Sequence, residues 1–241
     1  MTEAMSEEIA QVVKALKTNF FAPVEFVETA EAATELVLDL IPLEAKVGMG
    51  GSTSIRQLDL LPRLRKRGTI ILDTDEPRDL RRDERFRRSL YGCDVFLASS
   101  NAITLDGKLV NIDGTGNRVA GMIFGPKKVI LIVGRNKIVP DVNAAIDRIK
   151  NVIAPYRNMS RGRKLPCAVK LRCTDCKAWD RSCRTTVIME KRPRFTDIAI
   201  VLVNEDLGLG WDPAWPEARK EKIASVYLKL VTPAEPVPRS L

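Results

Sequence analysis

Apolar positions along the chain fall into two alternating rhythms. Residues Glu3–Thr18 place Ile9, Val12, Val13 and Leu16 at helical spacing, which predicts an amphipathic helix. Val24–Val27 (VEFV) reads as a short strand. Thr29 then caps a second helix that runs to about Leu40 and is ended by Pro42. Ala45–Val47, with Met49 still apolar, forms a run that enters a glycine cluster, and a helix over Ile55–Leu64 follows. Further strands are predicted at Thr69–Leu72 (TIIL), Asp94–Ala98 (DVFLA) and Lys128–Val133 (KVILIV). Helices are predicted at Glu76–Leu90, at Val119–Phe124, from the Asp141 cap to Ile153, and at Glu217–Leu230. Thr186–Glu190 and Ile198–Val203 (IAIVLV) read as strands returning to the sheet. Fully apolar strands alternating with helices predict an α/β fold with a mostly parallel, doubly wound sheet. Ligands of such sheets bind beyond the carboxyl ends of the strands.

Two glycine-rich stretches would lie at that end. The first is Val47–Arg56, VGMGGSTSIR, with Gly48, Gly50 and Gly51 followed by Ser52, Thr53 and Ser54. A strand, a glycine loop and a helix N-terminus suit an anion, since backbone N–H groups and hydroxyls donate to it. The same residues also suit a tight turn with Ser52 or Thr53 capping the helix. Neither the dinucleotide fingerprint nor the nucleoside-triphosphate loop fits: Thr53 stands where the first needs a small apolar residue, and the lysine of the second is missing. The second stretch is Asn101–Arg118, NAITLDGKLVNIDGTGNR. Its apolar runs flank Asp106-Gly107, a hairpin signal of the type I′ kind. It continues through Asn111, Asp113, Gly114, Thr115, Gly116, Asn117 and Arg118 into a helix, concentrating polar groups where loops carry sites. The alternative is a hairpin and loop with ordinary turn residues.

Composition narrows the chemistry. Of 241 residues, 45% are hydrophobic and 29% charged, as expected of a globular chain. No apolar run is long enough to span a membrane. The acidic, amphipathic start lacks a signal-peptide pattern, which leads us to expect a cytoplasmic protein. There is no histidine, so His-based triads, metal ligands and proton shuttles are excluded. Acid–base work falls to other groups, and the candidate carboxylates are Asp106, Asp113 and Glu205. For Glu205 and its neighbour Asp206 a capping role is the alternative. The net charge of +8 gathers at Arg63–Arg67 and Arg78–Arg88. With only Phe86 and Tyr91 nearby, a solvated helix face is favoured over nucleic-acid binding. An anionic small molecule or an acidic protein partner is compatible with this charge.

Four of five cysteines, Cys167, Cys173, Cys176 and Cys183, fall in one stretch as C-x5-C-x2-C-x6-C. In a chain expected to be cytosolic this favours a metal over disulfides, and four thiolates would complete the shell of zinc or of an iron–sulfur cluster. Lys170, Arg172, Lys177, Arg181 and Arg184 would offset the negative charge. Cys93, at a strand start, reads as a buried, inert thiol.

Beyond these readings, NAITLDGKLVNIDGTGNRVAGMIFGPKKVILIVGRNKIV resembles the signature of the lactate-utilisation (LUD-domain) family. GMGGSTSI is similar to that family's earlier glycine element, and LRCTDCKAWDRSCRTTVIMEKRP to a branch carrying clustered cysteines. The resemblance implies a three-layer fold similar to ribose-phosphate isomerases, glucosamine-phosphate deaminases and CoA transferases, in which Gly48–Ser54 would match the loop cradling a phosphate or acyl group. On this reading residues 1–231 form one α/β domain with a cysteine-rich insertion at 165–185, and 232–241 a flexible tail. The resemblance further implies a part in oxidising L-lactate to pyruvate alongside iron–sulfur partner proteins. No flavin or nicotinamide motif is recognisable, so a complex subunit is expected rather than a lone dehydrogenase. Arg118 and the glycine loops would hold the ligand. The alternatives are an isomerase- or transferase-like enzyme on a phosphorylated metabolite, and a ligand-binding scaffold with structural zinc. A homo-oligomer is compatible with each.

Overall fold

Six parallel strands organise the molecule. The computed structural model describes residues 6–73 and 88–231. The strands, numbered in chain order, run spatially as β1 (Val24–Val27), β10 (Asp197–Val203), β7 (Lys128–Gly134), β4 (Val95–Ala98), β2 (Val47–Met49) and β3 (Ile71–Asp73). All five pairings are parallel. The central strands are apolar throughout because each face meets a different layer. Val129, Leu131 and Val133 of β7 join one core cluster, while Ile130 and Ile132 join the other. In β10, Ile198, Ile200 and Leu202 alternate in the same way with Ala199, Val201 and Val203.

One face is covered by α2 (Ala30–Leu40), α3 (Thr53–Arg56) and α4 (Leu60–Lys66). The other is covered by α1 (Glu7–Thr18), α5 (Asn117–Ile123) and the inner side of a second sheet. The caps expected at Thr29 and Asp141 form, accepting from the N–H groups of Ala32 and Ala144. The helix expected over Ile55–Leu64 breaks into α3 and α4. An unbroken helix would bury the ring of Pro62 in its interior, whereas the break puts Pro62 in the first turn of α4, where its missing N–H costs nothing.

The second sheet has the order β8 (Ile138–Val139), β5 (Ala102–Thr104), β6 (Leu109–Asp113) and β9 (Thr185–Met189). Its outer side packs under α6 (Val142–Arg148), a π turn at Ile149–Ile153 that leads into α7 (Ala154–Ser160), and Tyr227 of α9 (Glu217–Leu230). Two expectations are corrected here. Strand β9 does not return to the main sheet but pairs antiparallel with β6. The β5–β6 hairpin does not turn through type I′, which needs two left-handed residues. Gly107 alone has positive φ (+79°), and its N–H bonds Thr104 O at 2.9 Å. This is a type I turn followed by a left-handed glycine. The expected helix at Glu76–Leu90, the basic run Arg78–Arg88 and the 232–241 tail lie wholly or mostly outside the described residues. Among the described residues, no helix is long and apolar enough to cross a membrane.

Candidate functional site

The carboxyl ends of four adjacent strands deliver the site. Strand β2 releases Gly50–Ser52, β4 releases Ser99–Asn101, β7 leads to Asn136-Lys137, and β10 leads to the 204–210 segment. The two glycine loops meet there. A Cβ built on Gly50 would lie 3.8 Å from both the Asn117 Nδ2 and the Arg118 Cβ.

Beneath them sits Lys137, which is only 5% exposed. Its amine donates to Ser54 Oγ (2.7 Å) and Ser99 Oγ (2.9 Å), both neutral hydroxyls. Burial, and then the nearby charge of Arg118, pushes the Lys137 pKa down to about 7. Gly208, with φ +69°, lies over this amine. A Cβ there would collide with Ser54 Oγ and stand 3.3 Å from Lys137 Nζ, so the cover is bare backbone. Asn136 pins that cover by accepting from Leu207 N (3.0 Å) and donating to Gly210 O (3.0 Å).

Arg118 is fixed by a network. It pairs with Asp113 and donates to Asn101 Oδ1 (2.8 Å) and Ile112 O (3.2 Å). Asp113 also accepts from Val119 N (3.1 Å). Asn111, fully buried, accepts from Asn101 N (2.9 Å) and donates to Ser100 Oγ (3.2 Å). Hence Asn111 and Asp113 position Arg118, and Asp113 is engaged as its counter-ion.

The remaining candidates divide by location. Ser52, Thr53 and Asn117 are half-buried at the site, Ser54 is buried, and Gly51 is exposed. Ser52 makes no side-chain cap bond. Gly48 lies inside β2, where a Cβ would approach Cys93 Sγ to 2.7 Å, so its small size serves packing. Gly114 and Thr115 are exposed, and Gly114 packs on the backbone of Ser182. Gly116 supplies the left-handed residue (φ +83°) before α5. Helices α3 and α5 have four and seven residues. Their dipoles are therefore small, and the positive potential comes from Lys137 and Arg118.

Two candidate carboxylates work elsewhere. Asp106 sits at the hairpin tip, bonded to Thr104 and to Lys108 (2.7 Å), and its carbonyl accepts from Asn19 of the α1 C-cap. Lys108, and then Thr104, hold its carboxyl below the usual range. Glu205 caps α2 by accepting from Ala30 N (3.1 Å). Asp206 pairs with Arg219 (2.7 Å) and Arg135. Lys137, Ser99, Asn101 and Gly208 were not among the sequence candidates. A lysine closing the apolar run KVILIVGRNK, and the pair Ser99-Ser100 closing DVFLA, are the signals that could have found them.

The cysteines form a second centre. Cys167, Cys173, Cys176 and Cys183 line one cavity of about 20 Å³. Asn158 Nδ2 donates to Cys167 Sγ and Asp175 N to Cys173 Sγ, each at 3.4 Å. Burial, then the neighbouring Cys173 and Cys167, raises the Cys183 pKa. Among the described residues, no three acidic or thiol side chains already stand in ligating geometry. Cys93 is buried as expected, and burial pushes its thiol up to about 11.

These features define a three-layer α/β protein with a basic, hydroxyl-lined site at the carboxyl end of a parallel sheet. The LUD domain family matches residues 9–203, and the chain belongs to that family, which is associated with lactate utilisation. The chain is also similar in fold to a DUF162 family protein from Deinococcus radiodurans, at a TM-score of 0.50 and 13% identity, over 83% of this chain and 99% of that one. No protein of curated function matches the sequence.

Proposed function

We propose that this chain holds a small 2-hydroxy- or 2-oxocarboxylate, lactate or pyruvate in the first instance, as one component of a lactate-utilisation redox system. Lys137 carries the reading. A buried ammonium that meets only hydroxyls is costly. An entering carboxylate supplies the missing charge, while Ser52, Thr53 and Arg118 stand at the same end of the sheet to take its oxygens. Oxidising a 2-hydroxy acid releases two electrons, and the lysine, arginine and hydroxyls of this site do not carry electrons. Iron–sulfur partner proteins would take them. The family association supports this choice of ligand over a sugar phosphate, which the same donors could also hold.

Calorimetric titration with L-lactate, pyruvate and ribose 5-phosphate tests the reading. The expected result is binding of a carboxylate that weakens about tenfold or more in Lys137→Met and in Arg118→Gln, the scale of one lost charge-assisted bond. Binding of the sugar phosphate alone, or carboxylate binding unchanged in both variants, overturns it.

A further inference from the structure

We infer that Cys167, Cys173, Cys176 and Cys183 bind a single zinc ion, and that this ion braces the Asp113–Arg118 loop from outside the cleft. The four thiols come from three local structures. Cys167 lies on α8 (Pro166–Lys170), Cys173 and Cys176 on the loop after it, and Cys183 just before β9. They nonetheless face one cavity, although 167–183 contains no strand to bring them together. That segment's own apolar cluster is small: Leu165, Cys167 and Ala168, with Ala178 packed against them. So little burial does not account for four thiols lining one cavity, whereas a shared ligand does.

The size and lining of the cavity suit a single metal ion. About 20 Å³ has room for one ion, and four thiolates with no other donor among them complete the tetrahedral shell of zinc. The Asp175 N–H aimed at Cys173 Sγ, two residues on in the C-x2-C turn, is a bond that steadies a thiolate. Asn158 does the same for Cys167. Lys150 and Arg181 on the cavity wall offset the charge of four thiolates around a divalent ion. Among the described residues no three of these thiols already form a group that could hold a metal ion, so zinc would draw them inward and tighten the segment.

That tightening reaches the cleft through two contacts. Arg184 N donates to Asp113 O at 2.9 Å, and Gly114 lies on Ser182, its would-be Cβ 3.2 Å from Ser182 O. Ser182 and Arg184 flank Cys183. Zinc therefore sets the stiffness of the loop that presents Arg118 without touching the ligand.

The test uses the full chain purified without added metal. Elemental analysis should find one zinc per chain, without iron or acid-labile sulfide. A mercurial that titrates the thiols should release it, and cobalt exchanged into the site should give the intense visible bands of a tetrahedral thiolate complex. Cys176→Ser and Cys183→Ser should each lose zinc, and Cys93→Ala should keep it. Amide exchange over residues 111–118 should speed up about tenfold when zinc is chelated from the wild-type chain, an effect that needs no variant to fold. Iron with sulfide in the site, a chain that takes up no metal from micromolar zinc, or zinc retained in both serine variants overturns the assignment. Unchanged exchange over 111–118 on chelation overturns the bracing role.

Discussion

The carboxyl end of the parallel sheet and the cysteine segment meet at the same loop, Asp113–Arg118, yet different forces hold them. Lys137, Ser99 and Gly208 are placed by strands whose residues are almost wholly buried; β7 and β10 each run six consecutive buried positions. Their geometry follows from core packing, which tolerates little movement. The cysteine segment is held by polar contacts instead. Arg163 donates to Ser182 Oγ and to Asp180 O, each at 2.7 Å, and Ser182 donates to Asn158 Oδ1 at 2.7 Å. One side of the loop is thus fixed by apolar burial and the other by a few directional bonds and, on our inference, a metal. The first should fail only with the whole fold, and the second should fail locally.

The largest test of this contrast is a cavity in the sheet. Leu131 is fully buried in β7, between β10 and β4. Leu131→Ala should cost about 2–5 kcal/mol in urea denaturation, and should lower the midpoint for the cleft and the cysteine segment alike. If amide exchange instead shows the cleft opening while the rest of the sheet stays protected, burial is not what places Lys137. Next in size is Arg118→Gln. It leaves the buried Asp113 carboxylate with Val119 N but without its guanidinium partner. The expected loss is about 1–3 kcal/mol, with the fastest new exchange in residues 113–118.

The same contrast explains what was legible in the sequence. Lys128–Val133 and Ile198–Val203 announce themselves because buried parallel strands are apolar on both faces. The convergence of the two glycine loops followed, since strand ends in such a sheet share one side. Strand β9 was assigned to the wrong sheet because most of its side chains are at least partly exposed and its partner, β6, lies more than seventy residues earlier. Nothing local specifies that pairing. Lys137 was invisible for a related reason. A lysine after a strand is ordinarily solvated, and this one is buried because the Leu207–Gly208 backbone folds over it. Asp106 and Glu205 looked like bases because turn and strand-end carboxylates occur at active sites, and just as often serve as turn partners and caps, which is what these two do here.

A third prediction follows from Lys137 and gives a slope rather than a single number. Its pKa falls from the ordinary lysine value to about 7 on folding. Between pH 7 and the unfolded value near 10.5 the unfolded chain therefore binds more protons than the folded one. Stability should rise with pH across that window by up to about 1.4 kcal/mol per unit from this residue, and the penalty is fully present below pH 7. Lys137→Met should flatten that rise in urea titrations at pH 7, 8 and 9. Anion binding requires the charged amine, so carboxylate affinity should fall over the same range in the wild type and not in the variant. An unchanged slope in Lys137→Met would mean that the amine is solvated and that the Gly208 backbone does not cover it.

The smallest expected effect on the fold discriminates most sharply between a turn and a binding loop. Ser52 occupies the N-cap position of α3, but its hydroxyl makes no cap bond. A serine that served only the turn would bond the N–H groups of the first helical turn, and its removal would cost about 1 kcal/mol. Because that bond is missing, Ser52→Ala should change stability by less than about 0.5 kcal/mol. If the loop exists to meet an anion, the same change should remove one donor from the ligand and weaken carboxylate binding several-fold, by about 0.5–1.5 kcal/mol. A stable variant with weakened binding places the hydroxyl in the ligand's shell. A destabilised variant with unchanged binding would return Val47–Arg56 to the status of a tight turn, and the burden of holding the carboxylate would then fall on Lys137 and Arg118 alone.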